Sequence, residues 1–131
     1  MRRLRVWRQI EAPATVVWDL LIDLDRWPAW GPSVRSAALD AGTFEAGATG
    51  TVTPAVGPQL PFEITAFDPG ERWGWRVAGV EATEHVVQPR GTARCRVGFG
   101  VPWPLAPYLA VCAVALRRLD RLARALEVRA T

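Results

Sequence analysis

From Val34 to Val101, glycine or proline recurs every ten residues or so between short runs of β-forming residues, and after that the period of the chain changes. Short strands punctuated at this rhythm make an antiparallel sheet, with strands expected near 33–39, 48–55, 60–68, 71–78, 81–89 and 92–101. Beyond them, Leu105, Leu109, Cys112, Leu116, Leu119, Ala123 and Leu126 fall at spacings of four and three. That spacing marks one face of a long C-terminal helix. Its opposite face carries Arg117, Asp120, Arg121 and Arg124, a solvated pattern in which Asp120 and Arg124 are spaced for an i,i+4 pair. The chain is therefore read as α+β.

Upstream of the sheet, Leu4, Val6 and Ile10 share one parity with Arg8 among them, a first strand with an imperfect apolar face. Pro13 suits the opening turn of a helix. Val17, Trp18, Leu20 and Leu21 form its apolar stripe as far as about Asp23. The Trp27-Pro28 step ends it, because a residue before proline avoids helical angles, and a second short helical turn follows around Trp30. The segment DRWPAW, Asp25 to Trp30, then places two indoles where a polar loop would ordinarily run.

Two hairpins decide which side chains face inward. FDPGER, at 67–72, gives an even connection, so Phe62 should oppose Val77, Ile64 oppose Trp75, and Ala66 oppose Trp73. The second hairpin turns at Pro89-Arg90-Gly91, read as a three-residue loop with a bulge. That register sets Glu84 against Arg96 on one face and places Thr83, His85, Val87, Ala93, Cys95, Val97 and Phe99 on the other. His85 points inward, with Cys95 beside it.

Composition excludes several classes. At 131 residues, half of them hydrophobic, the chain is one ordinary domain, 1–131, with a real core. All sixteen basic residues are arginine, and they spread over both termini and the middle strands rather than one face, which argues against a nucleic-acid partner. Cys95 and Cys112 form no CxxC pair and read as buried apolar thiols. With His85 as the sole histidine, a four-ligand Cys/His zinc site cannot be assembled, so no metal and no cofactor are expected. The N-terminus has charges but no apolar signal core. The apolar stretch 97–116 is interrupted by Pro102, Pro104 and Pro107, leaving too short a helix to span a bilayer. A cytoplasmic, non-integral protein is expected, as a monomer or homodimer.

IEAPATVVWDLLIDLDRWPAWGPSV, followed by FDPGERWGW, a histidine strand leading to QPRGTARCRV, and LRRLDRLARALEVRA, resembles the START-like superfamily, also called SRPBCC. The resemblance covers essentially the whole chain. It implies the helix-grip fold, with two short helices after strand 1 and a curved antiparallel sheet wrapped around the C-terminal helix, enclosing a cavity. It also implies binding of a hydrophobic small molecule such as a polyketide, lipid, sterol or quinone. Some members of the superfamily are polyketide cyclases or dehydratases, and no catalytic residue is universal among them.

Under that resemblance Trp27 and Trp30 either cap an apolar pocket or plug a small core. The expected lining is Trp27, Trp30, Phe62, Ile64, Trp73, Trp75, Val77, Thr83, His85, Val87, Cys95, Val97 and Phe99, with Leu109 and Leu116 from the helix. A ligand hiding about 300 Å² of apolar area gains roughly 7 kcal/mol before association costs. His85 is the inward group able to exchange a proton near neutral pH, and so the candidate general acid or base. A Cys95–His85 dyad lacks an orienting third group. Glu63 falls on the outward parity, Asp68 lies in a turn, and Glu81, at a strand end, is within reach of the cavity mouth but reads first as a solvated carboxylate, so no acid–base pair is expected among them. Three readings stand: a plain binder of a hydrophobic small molecule, a cyclase or dehydratase using His85, and a lipid or quinone carrier that touches membranes through the exposed part of PWPLAPY at 102–108.

Overall fold

The computed structural model describes residues 3–130. Seven strands, β1 (Arg3–Ile10), β2 (Val34–Leu39), β3 (Thr49–Pro54), β4 (Leu60–Asp68), β5 (Arg72–Val77), β6 (Val80–Pro89) and β7 (Cys95–Pro102), form one curved antiparallel sheet in the order β1-β7-β6-β5-β4-β3-β2. The helices are α1 (Ala14–Ile22), α2 (Trp27–Trp30) and α3 (Leu109–Ala130). A 3-10 strap, Trp103–Tyr108, joins β7 to α3. The long helix packs on β1 and β7 and against α1 and α2, which is the helix-grip arrangement.

Helix α1 buries Val17, Trp18, Leu20 and Leu21 as its apolar stripe requires. It stops at Asp23, whose extended backbone (φ −91°, ψ 103°) breaks the helix before any proline is reached. The Asp23 carboxylate then accepts from the Asp25 amide and caps the 3-10 turn Leu24–Arg26. The expectation that Trp27-Pro28 terminates a helix is overturned: Trp27 is helical (φ −55°, ψ −41°), and Pro28 sits in the first turn of α2, where its missing N–H costs nothing. The two indoles repair the broken end. Trp27 Nε1 donates to the Leu21 carbonyl at 2.9 Å, and Trp30 Nε1 donates to that of Leu20 at 3.1 Å, satisfying carbonyls that a helix C-terminus leaves orphaned.

Both hairpin registers need correction. In β4–β5, Phe62 opposes Val77 and Ile64 opposes Trp75 as expected, but a bulge follows, and Ala66 faces Gly74 while Phe67 faces Trp73. The loop holds three residues around Gly70, at φ +78°, so the pairing next to the turn is one residue out of step with the rest. Phe67 thereby reaches the inner side and packs on Trp18 and Phe44.

In β6–β7, Glu84 opposes Gly100 and His85 opposes Phe99, four residues from the expected register, and β7 begins only at Cys95. Ala93 is an exposed loop residue, and Cys95 lies opposite Pro89 and Ile10 rather than beside His85. The slip is even, so the inward parity of Thr83, His85, Val87, Cys95, Val97 and Phe99 survives. Strand β1 explains the choice: Arg5 crosses over Gly100 to reach Glu84 at 2.8 Å, and the Trp7 ring lies on Gly98, where a Cβ would come within 2.6 Å of it.

Helix α3 also departs from expectation at two points. Leu105 belongs to the strap and is 39% exposed, so the helical face begins at Leu109. Asp120 is buried rather than solvated: its carboxylate takes Arg8 Nε at 2.7 Å and the expected partner Arg124 Nε at 2.9 Å. The arginine that spoils the apolar face of β1 thus meets its counter-charge on the helix.

Candidate functional site

The space beneath the indoles is filled. Trp27 stacks on Trp73 (ring centroids 5.4 Å apart, planes 5° from parallel), and Trp75, Phe62 and Phe44 close around that pair. Trp30 packs on Phe99 and His85. What remains there is a void of about 40 Å³ against Trp27, Trp30, Trp73, His85, Phe99, Cys112 and Ala115. Of the two sequence readings of these tryptophans, plugging describes the geometry. Trp73 Nε1 is buried without a hydrogen-bond partner.

A roomier space lies at the open end of the sheet. A cleft of about 270 Å³ is walled by Val34, Val52, Pro54, Leu60, Trp75, Val77, Ala82 and Val101, closed on one side by Leu105 and Tyr108 of the strap. Its polar lining consists of Ser33, Thr83 and Tyr108, plus the Trp75 indole. Ser33 Oγ and Tyr108 OH lie 2.5 Å apart and tie the strap to the loop before β2. Ser33, Val34, Trp75, Thr83 and Tyr108 border the void and the cleft alike.

His85 stands behind Thr83. Its ring stacks on Trp73 at 3.9 Å, with Nδ1 at 3.3 Å from the Trp73 carbonyl oxygen and Nε2 at 3.3 Å from Thr83 Oγ1. A carbonyl only accepts, so Nδ1 carries the proton. Burial drives the His85 pKa down from 6.5 to about 3, against the opposing pull of that carbonyl and with a further push from Arg3. The ring is therefore neutral, and Nε2 accepts from the Thr83 hydroxyl, which in turn accepts from Trp75 Nε1 at 2.9 Å. Every hydrogen-bonding position of the imidazole is used within the fold.

The cysteines take no part in this chain of donors. Burial raises both thiols to about 11, helped at Cys95 by the Asp120 charge. Among the carboxylates, Glu81 pairs with Arg3, Glu63 with Arg76, and Asp68 with Arg72. Glu84, 6% exposed, gathers Arg5 and Arg72 on the outer face of the sheet. Among the described residues, no three His, Cys, Asp or Glu side chains converge as metal ligands do.

A family model described as polyketide cyclase / dehydrase and lipid transport matches residues 1–130. The chain belongs to that family. Solved structures with the same fold include XoxI from Bacillus cereus (15% identity, TM-score 0.74, covering 97% of this chain and 99% of that one) and a protein from Thermobifida fusca (22%, 0.73, 97% and 96%). The di-domain ARO/CYC protein BexL of the BE-7585A biosynthetic pathway aligns at 16% identity and TM-score 0.74, over 92% of this chain and 46% of BexL. A search of curated proteins returns no match.

In this polyketide cyclase / dehydrase family member, the residues expected to line one cavity divide into three groups. Trp75, Val77 and Thr83 border the cleft, whereas Trp27, Trp30, Trp73, His85 and Phe99 border the small void only. Phe62, Ile64, Val87, Cys95, Val97 and Leu116 are packed in the core, and Leu109 lies partly buried against it. Ser33, Val34, Val52, Pro54, Leu60, Ala82, Val101, Leu105 and Tyr108 were not anticipated. Val52, Pro54, Leu60, Val101, Leu105 and Tyr108 fall in uncharged stretches rich in glycine and proline, a faint signal, whereas Ser33, Val34 and Ala82 lie close to charged residues and carry none.

Proposed function

We propose that this protein binds a hydrophobic small molecule in the cleft between the open end of the sheet and the strap. The observation that carries this reading is an apolar cleft of about 270 Å³, just under the ~300–1,000 Å³ usual for ligand sites, whose lining holds few polar groups. Membership in a family described by cyclase, dehydrase and lipid-transport members supports an apolar ligand of that general kind. Acid–base catalysis by His85 is the weaker reading. Its nitrogens are engaged, it sits behind Thr83, and a group that protonates only near pH 3 is poorly matched to proton transfer at neutral pH.

Titration calorimetry with a naphthalene-sized apolar probe tests the site. Leu60→Trp and Val77→Trp, which fill the cleft from two different strands, should each weaken binding at least about tenfold. Binding that survives both substitutions overturns the assignment.

A further inference from the structure

We propose that the cleft selects a compact, uncharged ligand carrying one oxygen, and that the Ser33–Tyr108 pair reads that oxygen. The inference rests on the cleft being the binding site and adds the chemistry it accepts.

Two hydroxyls 2.5 Å apart hold two protons and share one hydrogen bond. Whichever donates, one O–H is left over. Burial keeps the Tyr108 phenol protonated by pushing its pKa up, so the spare proton is not lost to ionisation. Thr83 offers the opposite: its proton is committed to His85 and one lone pair to Trp75 Nε1, leaving a lone pair as its remaining capacity. The lining therefore provides a single free donor, on the Ser33–Tyr108 pair, and a free acceptor lone pair on Thr83. A ketone or ether oxygen uses the donor, and a hydroxyl uses both.

Charge is excluded by what surrounds these groups. Most of the cleft is built from segments 46–62, 77–80 and 97–116, none of which contains an Asp, Glu, Arg, Lys or His. The same segments also expose apolar side chains: Val56 (90% exposed) lies in sequence between the lining residues Pro54 and Leu60, Val80 (59%) between Val77 and Ala82, and Trp103 (61%) between Val101 and Leu105. A carboxylate on a compact ligand would lose water there, and none of the lining side chains is a cation.

Three probes of one shape separate these terms near neutral pH: tetralin, its benzylic ketone tetralone, and its benzylic carboxylate. Calorimetry should find tetralone bound about three- to tenfold more tightly than tetralin, and the carboxylate at least about tenfold more weakly than tetralone. Ser33→Ala or Tyr108→Phe alone leaves one free O–H and should retain the preference. The double variant should bring tetralone and tetralin to equal affinity with tetralin itself unchanged. The assignment is overturned by a preference that persists in the double variant, by loss of tetralin together with tetralone there, or by a carboxylate that binds wild type as well as the ketone does. If no probe binds wild type, the cleft reading itself fails, and this inference with it.

Discussion

At the scale of single residues, His85 shows how burial changes the role that composition suggests. An imidazole with an ordinary pKa is a natural proton shuttle, but here the aromatic stack removes water and fixes one neutral tautomer. The thermodynamic sign follows. The folded state takes up this proton near pH 3 and the unfolded state near 6.5, so below 6.5 the unfolded chain binds more protons. Stability is full above pH 6.5 and declines as the pH falls towards 3. Urea unfolding should show wild type losing about 1.4 kcal/mol per pH unit just below pH 6, above the ordinary carboxylate range. His85→Gln should flatten that slope; an unchanged slope would mean that the ring is not buried neutral. The same variant should leave probe binding in the cleft within about threefold, because His85 does not line it.

Among elements, the contact of β1 with α3 is held by a polar clasp in an otherwise apolar seam. Arg8 interrupts the parity of Val6 and Ile10, and Asp120 interrupts the stripe of Leu116, Leu119 and Ala123; each exception is the partner of the other. Arg8 is two-fifths exposed, so solvent screening should hold the cost of Arg8→Ala to about 1–2 kcal/mol, most of it from a buried carboxylate left with Arg124 alone. Replacing both partners with leucine should return stability to within about 1 kcal/mol of wild type, since a packed apolar pair avoids desolvating the two charges. Chemical unfolding of the two variants checks this, and a double variant no more stable than the single one would show that the clasp does more than satisfy itself. Cross-strand rows obey similar logic on the outer face, where glycines at 98 and 100 make room for Trp7 and for the reach of Arg5 to Glu84.

For the whole molecule, the aromatic side chains decide where space is left. Indoles and phenyl rings from α2, β4, β5 and the loop carrying Phe44 fill the middle of the grip, so the cavity is displaced to the end of the sheet, under the strap. A ligand there touches β2 through β7 and the strap at once, elements far apart in the chain. Binding should therefore stabilise the fold as a unit, by about 2.7 kcal/mol at a free ligand concentration one hundred times Kd. Thermal unfolding with and without tetralone measures it. Leu60→Trp should abolish the shift, whereas a shift that persists there would place the ligand elsewhere. Among the described residues, no helix is long and apolar enough to cross a membrane.

Periodicity in the sequence was enough for the seven strands, the terminal helix and the inward parity of His85, because strand and helix patterns are local and repeat. An error of four residues in the β6–β7 register left parity intact, since side chains alternate with period two. Register itself, the burial of Asp120 and the end of α1 were settled by partners distant in the chain: Arg5 and Trp7 over glycines, Arg8 across the core, and indoles donating back to α1 carbonyls. The cleft, for which the sequence holds no more than an absence of charge along part of its lining, belongs to tertiary structure. A cavity is what remains after large side chains have packed, and no stretch of sequence specifies how completely its neighbours will fill the volume between them.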